Sequence, residues 1–194
     1  MSDAAEKVKP LIEVLERRKS VRDFLDWHEE EGYLSIIERS TVMPKELFGA
    51  ILRRTLSAVD EDTLFDLLKE AGREGAEAEL RNFENLPPDV SKTKLIVAIA
   101  TIWRRLGWGK MIYSKFSRKT GEAIFKMVNS FEADCWGKSD RPTCSLVLGF
   151  TLGLMEWALG VPMDGEERQC VAKGDPYCEF VMWPVKKKRK KTAA

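Results

Sequence analysis

Along the first hundred residues the apolar positions recur mainly at three- and four-residue steps, whereas later stretches alternate, and the change marks where helices give way to a sheet. Leu11, Val14, Val21, Leu25 and His28 keep the helical step and predict a helical first thirty residues. Ser20-x-x-Asp23 is a capping-box-like signal for a break within them, and Gly32 stands as the stop. Residues 33–41 alternate and predict a strand. Pro44 opens a helix striped by Leu47, Phe48, Ile51, Leu52, Leu56 and Val59. Asp60 or Asp62 caps another, whose expected buried face is Leu64, Leu67, Leu68 and Ala71. After the Pro87-Pro88 break, Leu95, Ala98, Ile99, Ile102, Trp103 and Leu106 trace a third stripe, which Gly107 ends.

Residues 110–117 and 122–130 predict a hairpin around Arg118-Lys119-Thr120-Gly121. In its second strand Ala123, Phe125 and Met127 share one face while Ile124 and Val128 share the other, so the strand is expected to be covered on both sides. Residues 131–143 read as an Asp-, Gly- and Pro-containing loop. The stretch 146–161 is apolar but carries Glu156, and about 16 residues fall short of the roughly 20 that span a bilayer. It predicts a buried helix whose Gly149-x-x-x-Gly153 permits close packing. A final hairpin turns on Lys173-Gly174-Asp175-Pro176.

The fold class expected from this order is α/β in the α+β sense, an antiparallel sheet covered by helices. Its expected parts are an N-terminal helical extension (1–32), one domain (33–184) and a basic disordered tail (185–194). With 194 residues, 44% hydrophobic and 32% charged, the chain can bury one sizeable core. Net charge is +1, but the run Lys186-Lys187-Lys188-Arg189-Lys190-Lys191 supplies six positive charges and leaves the remainder mildly acidic. Duplex binding usually draws on a basic face, so only weak nucleic-acid or anionic-surface contact through that run is expected. No signal peptide is read, which predicts a cytoplasmic protein.

Candidate chemistry lies near the end of the chain. A turn centred on Gly174 sets Cys170 and Cys178 opposite each other, each four residues from it, and two such thiolates can share one Zn²⁺. Cys144 and a carboxylate from Glu166-Glu167 are the nearest further ligands. In a regular strand Glu167 and Cys170 face opposite sides, so Glu167 serves only if a bulge intervenes, with Glu166 as the fallback. Two disulfides among Cys135, Cys144, Cys170 and Cys178, with three possible connectivities, are the second reading, and small buried hydrophobes the third. His28, the only histidine, lies in the N-terminal stretch.

The run Cys144, an apolar helix ending Leu159-Gly160-Val161-Pro162, then Glu167-x-x-Cys170-x7-Cys178-x-Phe180, resembles the 4-vinyl reductase domain family. That family is related in fold to the vesicle-tethering subunits of the transport protein particle. The resemblance spans residues 33–184 and is strongest in the last forty of them. It implies a structural zinc held by Cys144, Glu167, Cys170 and Cys178, and a pocket for an apolar small molecule between the apolar helix and the sheet. The side chains expected to line it are Trp103, Phe125, Met127, Phe150, Met155 and Trp157. In phenol-responsive members a His and a Trp orient the ligand hydroxyl; no His lies within 33–184 here.

The function so implied is a stand-alone, zinc-containing hydrocarbon- or aromatic-binding sensor, not an enzyme. A tetrapyrrole-binding accessory of a vinyl reductase and a tethering-like scaffold are the alternatives. No strand-linked G-x-G-x-x-G and no spare cysteine set for an iron–sulfur cluster serve a reductase. A homodimer through the N-terminal helix or a sheet edge is the expected assembly.

Overall fold

The computed structural model describes residues 43–83, 91–117 and 119–185, together with 26–28, 30, 33–35 and 39–40. The strands β1 (Asp26–His28), β2 (Tyr33–Ser35) and β3 (Arg39–Ser40) form a small antiparallel sheet. Here the helical expectation fails. Trp27 pairs with Leu34 and His28 with Tyr33, and such aromatic cross-strand pairs favour a hairpin over a helical turn. The strand expected over 33–41 is likewise two strands. Leu11 to Leu25, the Pro87-Pro88 break and the basic run from Lys186 lie outside the described residues.

Two helices follow, α1 (Lys45–Leu56) and α2 (Glu61–Leu80), the second capped by Asp60, which accepts from the Thr63 amide at 2.9 Å. Their buried faces differ from the expected stripes. Leu47, Ile51 and Leu67 are exposed and Ala71 with them, while Gly49 and Leu52 of α1 and Leu64, Phe65, Gly72, Ala76 and Leu80 of α2 are buried. On α2 the neighbour packs along a row of small residues, so closeness of approach rather than bulk chooses the face. That neighbour is α5 (Ser145–Leu159), the predicted apolar helix. A Cβ on Gly149 would land on the Lys69 carbonyl oxygen, and one on Gly72 on that of Leu146.

The main sheet is antiparallel with strand order β4 (Lys110–Phe116), β5 (Ala123–Val128), β7 (Cys178–Pro184), β6 (Met163–Gln169). Both expected hairpins are present, and antiparallel pairing of β5 with β7 joins them. α5 lies between this sheet and α2, which is why it is apolar all round. Its one acid, Glu156, is paired with Arg73 and accepts from the Met163 amide at 2.9 Å. α3 (Lys92–Arg105), capped by Ser91 and ended at Gly107, completes the core around Leu95, Ile99 and Phe150.

β5 is not covered on both sides as expected. Ala123, Phe125 and Met127 are buried against the helices, but Ile124, Lys126 and Val128 are only partly so. Lys126 pairs with Glu179 at 2.9 Å and receives no helix above it. Helices occupy one face of the sheet, so a strand interior to the hydrogen-bonded order keeps an amphipathic alternation.

Candidate metal centre and adjoining apolar cavity

Three elements meet at the N-terminus of α5. Residues 131–143, expected as a loop, contain a short helix α4 (Phe131–Trp136) capped by Ser130, and return the chain to Cys144 at the N-cap of α5. Cys144 offers no side-chain cap; buried carboxylates satisfy the amides instead. Glu167 Oε2 accepts from the Cys144 amide at 2.7 Å, and the two oxygens of Glu132 accept from Leu146 and Val147 at 2.9 and 3.0 Å. Acidic groups belong there, since a helix N-terminus presents free N–H groups and partial positive charge.

β6 and β7 bring the remaining groups. Their register shifts between Glu167 and Gln169, a bulge that accommodates Arg168 and turns Glu167 to the same side as Cys170. After β6 the chain makes a 3₁₀ turn (Val171–Lys173) to Gly174, whose φ of 93° is the left-handed value that suits glycine. Asp175 holds this turn by accepting from the Cys170 amide at 2.8 Å. The Cys170 and Cys178 sulfurs end 4.0 Å apart.

The result is a cluster of Cys144, Glu167, Cys170 and Cys178, with all ligand atoms within 4.8 Å of one another. Sulfur separations are 3.6 Å for Cys144–Cys178 and 4.0 Å for both other pairs. A tetrahedral ion with Zn–S near 2.3 Å requires about 3.8 Å between sulfurs, whereas a disulfide requires about 2.05 Å. All four cysteines are free, which excludes the disulfide reading for this fold. Glu167 Oε1 is buried with no hydrogen-bond partner, an orphaned acceptor at the cluster that a cation would satisfy. Glu166, the fallback, is exposed and bonds Arg168 at 2.7 Å. Cys135 lies apart, bonded to the Lys45 carbonyl. The donors therefore fit a divalent ion bound by three thiolates and one carboxylate.

Without a cation these groups resist ionising together. Cys144 and Cys178 are pushed up by the shared S–H···S contacts, and Cys170, which accepts from both, is pushed down. Burial raises Glu167 to about 8, helped by the Cys170 charge. A bound divalent ion reverses this order by stabilising every thiolate. Ser130 Oγ lies 3.2 Å from Cys144 Sγ and Thr143 Oγ1 3.5 Å from Cys170 Sγ, so both sulfurs have buried hydroxyl contacts. Glu132, Ser130 and Thr143 are not legible as site residues in the sequence, because each owes its place to chain packing and Ser130-x-x-Ala133 resembles loop.

One layer away, between α3, α5 and the sheet, is an apolar cavity of about 90 Å³. Of the expected lining, Trp103, Phe125, Met127 and Phe150 line it; Met155 and Trp157 do not. Met155 packs towards the sheet core, while Trp157 faces a shallow charged groove with Glu70, Arg73 and Glu77 and stacks under Lys92. Those two positions point off the cavity because α5 is buried on every side, so apolarity alone does not reveal direction. Trp108, Val147 and Leu154 line it without having been expected to. Trp108 sits against Trp103, ring centroids 3.6 Å apart, and Trp103 against Phe150 at 3.7 Å.

Comparison with known proteins agrees with this arrangement. Residues 123–184 match the 4-vinyl reductase domain family. The phenol regulator MopR of Acinetobacter guillouiae is 23% identical over 193 residues, covering 93% of this chain and 34% of the relative, so the chain spans about a third of that protein's length. The phenol-responsive sensory domain of the transcription activator PoxR, solved with phenol, superposes with a TM-score of 0.73 at 16% identity, covering 87% of this chain and 89% of the other. A vinyl-4-reductase family protein of Methanocaldococcus jannaschii gives 0.51 at 17% identity, over 90% and 96% of the two chains. Trafficking protein particle complex subunit 3 of Naegleria fowleri, covalently bound to palmitic acid, gives 0.53 at 13% identity, over 73% and 95%. These structural likenesses establish the fold. No described helix is long and apolar enough to cross a membrane.

Proposed function

Residues 123–184 being a 4-vinyl reductase domain, we propose that the protein is a non-enzymatic small-molecule sensor that encloses a single-ring aromatic or a short hydrocarbon beside a structural zinc. The similarity to a phenol regulator and to a phenol-bound sensory domain supports a sensing or regulatory role. The observation that carries the reading is the apolar cavity walled by Trp103, Trp108 and Phe150 and set against the Cys144–Glu167–Cys170–Cys178 cluster. When bound, the ion supplies a cross-link between the α5 N-terminus and the β6–β7 hairpin, and four protein ligands leave it no open position for catalysis. A cavity of about 90 Å³ lies well below the roughly 300 Å³ of sites for drug-sized ligands. That favours a small ligand over a tetrapyrrole.

A homodimer joined at the sheet edge is part of the same proposal. β4 has no partner on its outer side among the described residues, and Met111, Ile112, Tyr113 and Phe116 are exposed on it. Light scattering at micromolar concentration tests this; a mass near 22.1 kDa, that of one chain, counts against it.

The direct test of the sensor reading is titration of zinc-loaded protein with toluene and a panel of small hydrocarbons. Intrinsic fluorescence of Trp103 and Trp108 and calorimetry are the readouts. Saturable binding is expected; no binding across the panel refutes the reading.

A further inference from the structure

The inner face of α3 that meets the cavity consists of Ile96, Ile99, Ala100, Trp103 and Arg104, the spacing of one helical stripe. Four of these are apolar or aromatic. The fifth is a guanidinium in the last turn, exposed where the cavity opens. No described residue gives the Arg104 side chain an ion pair or hydrogen bond, and no carboxylate lines the cavity. Arg105 adds a second positive charge in the same turn. The one other polar side chain in the wall is Thr151, whose hydroxyl already donates to the Val147 carbonyl at 2.8 Å. It therefore offers lone pairs inward, and repels an anion from the interior.

We infer that this cavity selects a single-ring aromatic carboxylate, the ring enclosed between Trp103, Phe150 and Met127 and the carboxylate held at the mouth by Arg104. The inference rests on the proposed cavity site and deepens it by naming the ligand class. Volume sets the division of the ligand. An engineered apolar cavity of about 150 Å³ holds benzene, and about 90 Å³ here has no room for a ring together with a solvated anionic substituent. The charged group must therefore stay at the opening, where a guanidinium suits a planar carboxylate through paired N–H donors. A neutral hydrocarbon would gain nothing from Arg104.

The test uses the zinc-loaded full chain and three probes of nearly one size: toluene, benzamide and benzoate. Benzoate is expected to bind about three- to tenfold tighter than benzamide, the range for a partly exposed charge-assisted contact. Arg104→Gln is expected to abolish that preference and leave toluene affinity unchanged, and Arg104→Lys to restore part of it. Ala100→Leu, which narrows the cavity, should weaken all three. Equal affinities for benzoate and benzamide in the native chain, a preference that survives Arg104→Gln, or benzoate binding indifferent to Ala100→Leu each overturn the inference. If toluene still binds in those cases, the cavity reading stands. If none of the three probes binds, both fall.

Discussion

Met127 on β5 stands directly opposite Cys178 on β7, and both side chains point to the helix-covered face of the sheet. One is wall to the apolar cavity and the other carries a sulfur of the metal cluster. The next pair along the ladder on that face, Phe125 and Phe180, is stacked at 4.5 Å between ring centroids, so the two sites share one rigid stretch of sheet. Whatever loosens Cys178 loosens the cavity floor.

Cys178→Ser and Cys170→Ser are accordingly expected to lower zinc content, melting temperature and toluene affinity together. Loss of about 3 kcal/mol would lower Tm by roughly 6 to 12 °C in a chain of this size. Cys135→Ser, remote from the cluster, should change none of the three. Elemental analysis and calorimetry on freshly purified protein decide it; full zinc retention after Cys170→Ser would remove the site.

The carboxylate can be identified separately. Glu167→Gln replaces an anionic oxygen donor by a neutral amide and should weaken zinc binding about tenfold or more in a chelator competition. Glu166→Gln, exposed and paired with Arg168, should leave affinity unchanged. Equal effects of the two substitutions would contradict the bulge-based assignment.

Trp157→Ala tests the direction of α5. The indole lies against the α2–α3 core and Lys92, not in the cavity, so the substitution should cost stability through lost packing while ligand affinity holds. Phe150→Ala, buried and lining the cavity, should cost about 3 to 5 kcal/mol and alter affinity as well. Denaturant unfolding paired with toluene titration separates the two effects.

Glu132 sets a pH dependence. Burial raises its carboxyl from 4.5 to about 8 despite the two amides that favour the charged form. An acid that holds its proton more tightly when folded favours the folded state at low pH; the contribution is complete below about 4.5 and is lost as pH rises through about 8. Glu132→Gln, which cannot ionise, should therefore flatten the decline in unfolding free energy between about pH 5 and about pH 8. Parallel profiles for the two proteins would show that Glu132 does not titrate in this interval.

Much of the C-terminal architecture is legible in the sequence because its signals are local. The Gly174 turn, the Gly107 stop, the Asp60 cap and the paired runs flanking residues 118–121 each depend on a few adjacent residues, and each has its expected place. The four residues of the cluster are legible for the same reason, three of them lying on one hairpin whose turn sets their spacing.

The sequence by itself determined that this chain forms an antiparallel sheet with an apolar helix against it, and that three cysteines and a glutamate can converge. Tertiary structure alone decided which glutamate, since only the bulge at Arg168 turns Glu167 inward and leaves its Oε1 orphaned. It also decided the buried faces of α1 and α2, the direction in which α5 presents Phe150 rather than Trp157 to the cavity, and the place of Glu132 beneath the α5 amides. Periodicity records which residues are apolar; which apolar surfaces meet depends on how closely two backbones approach, and that is set by partners many residues away in the chain.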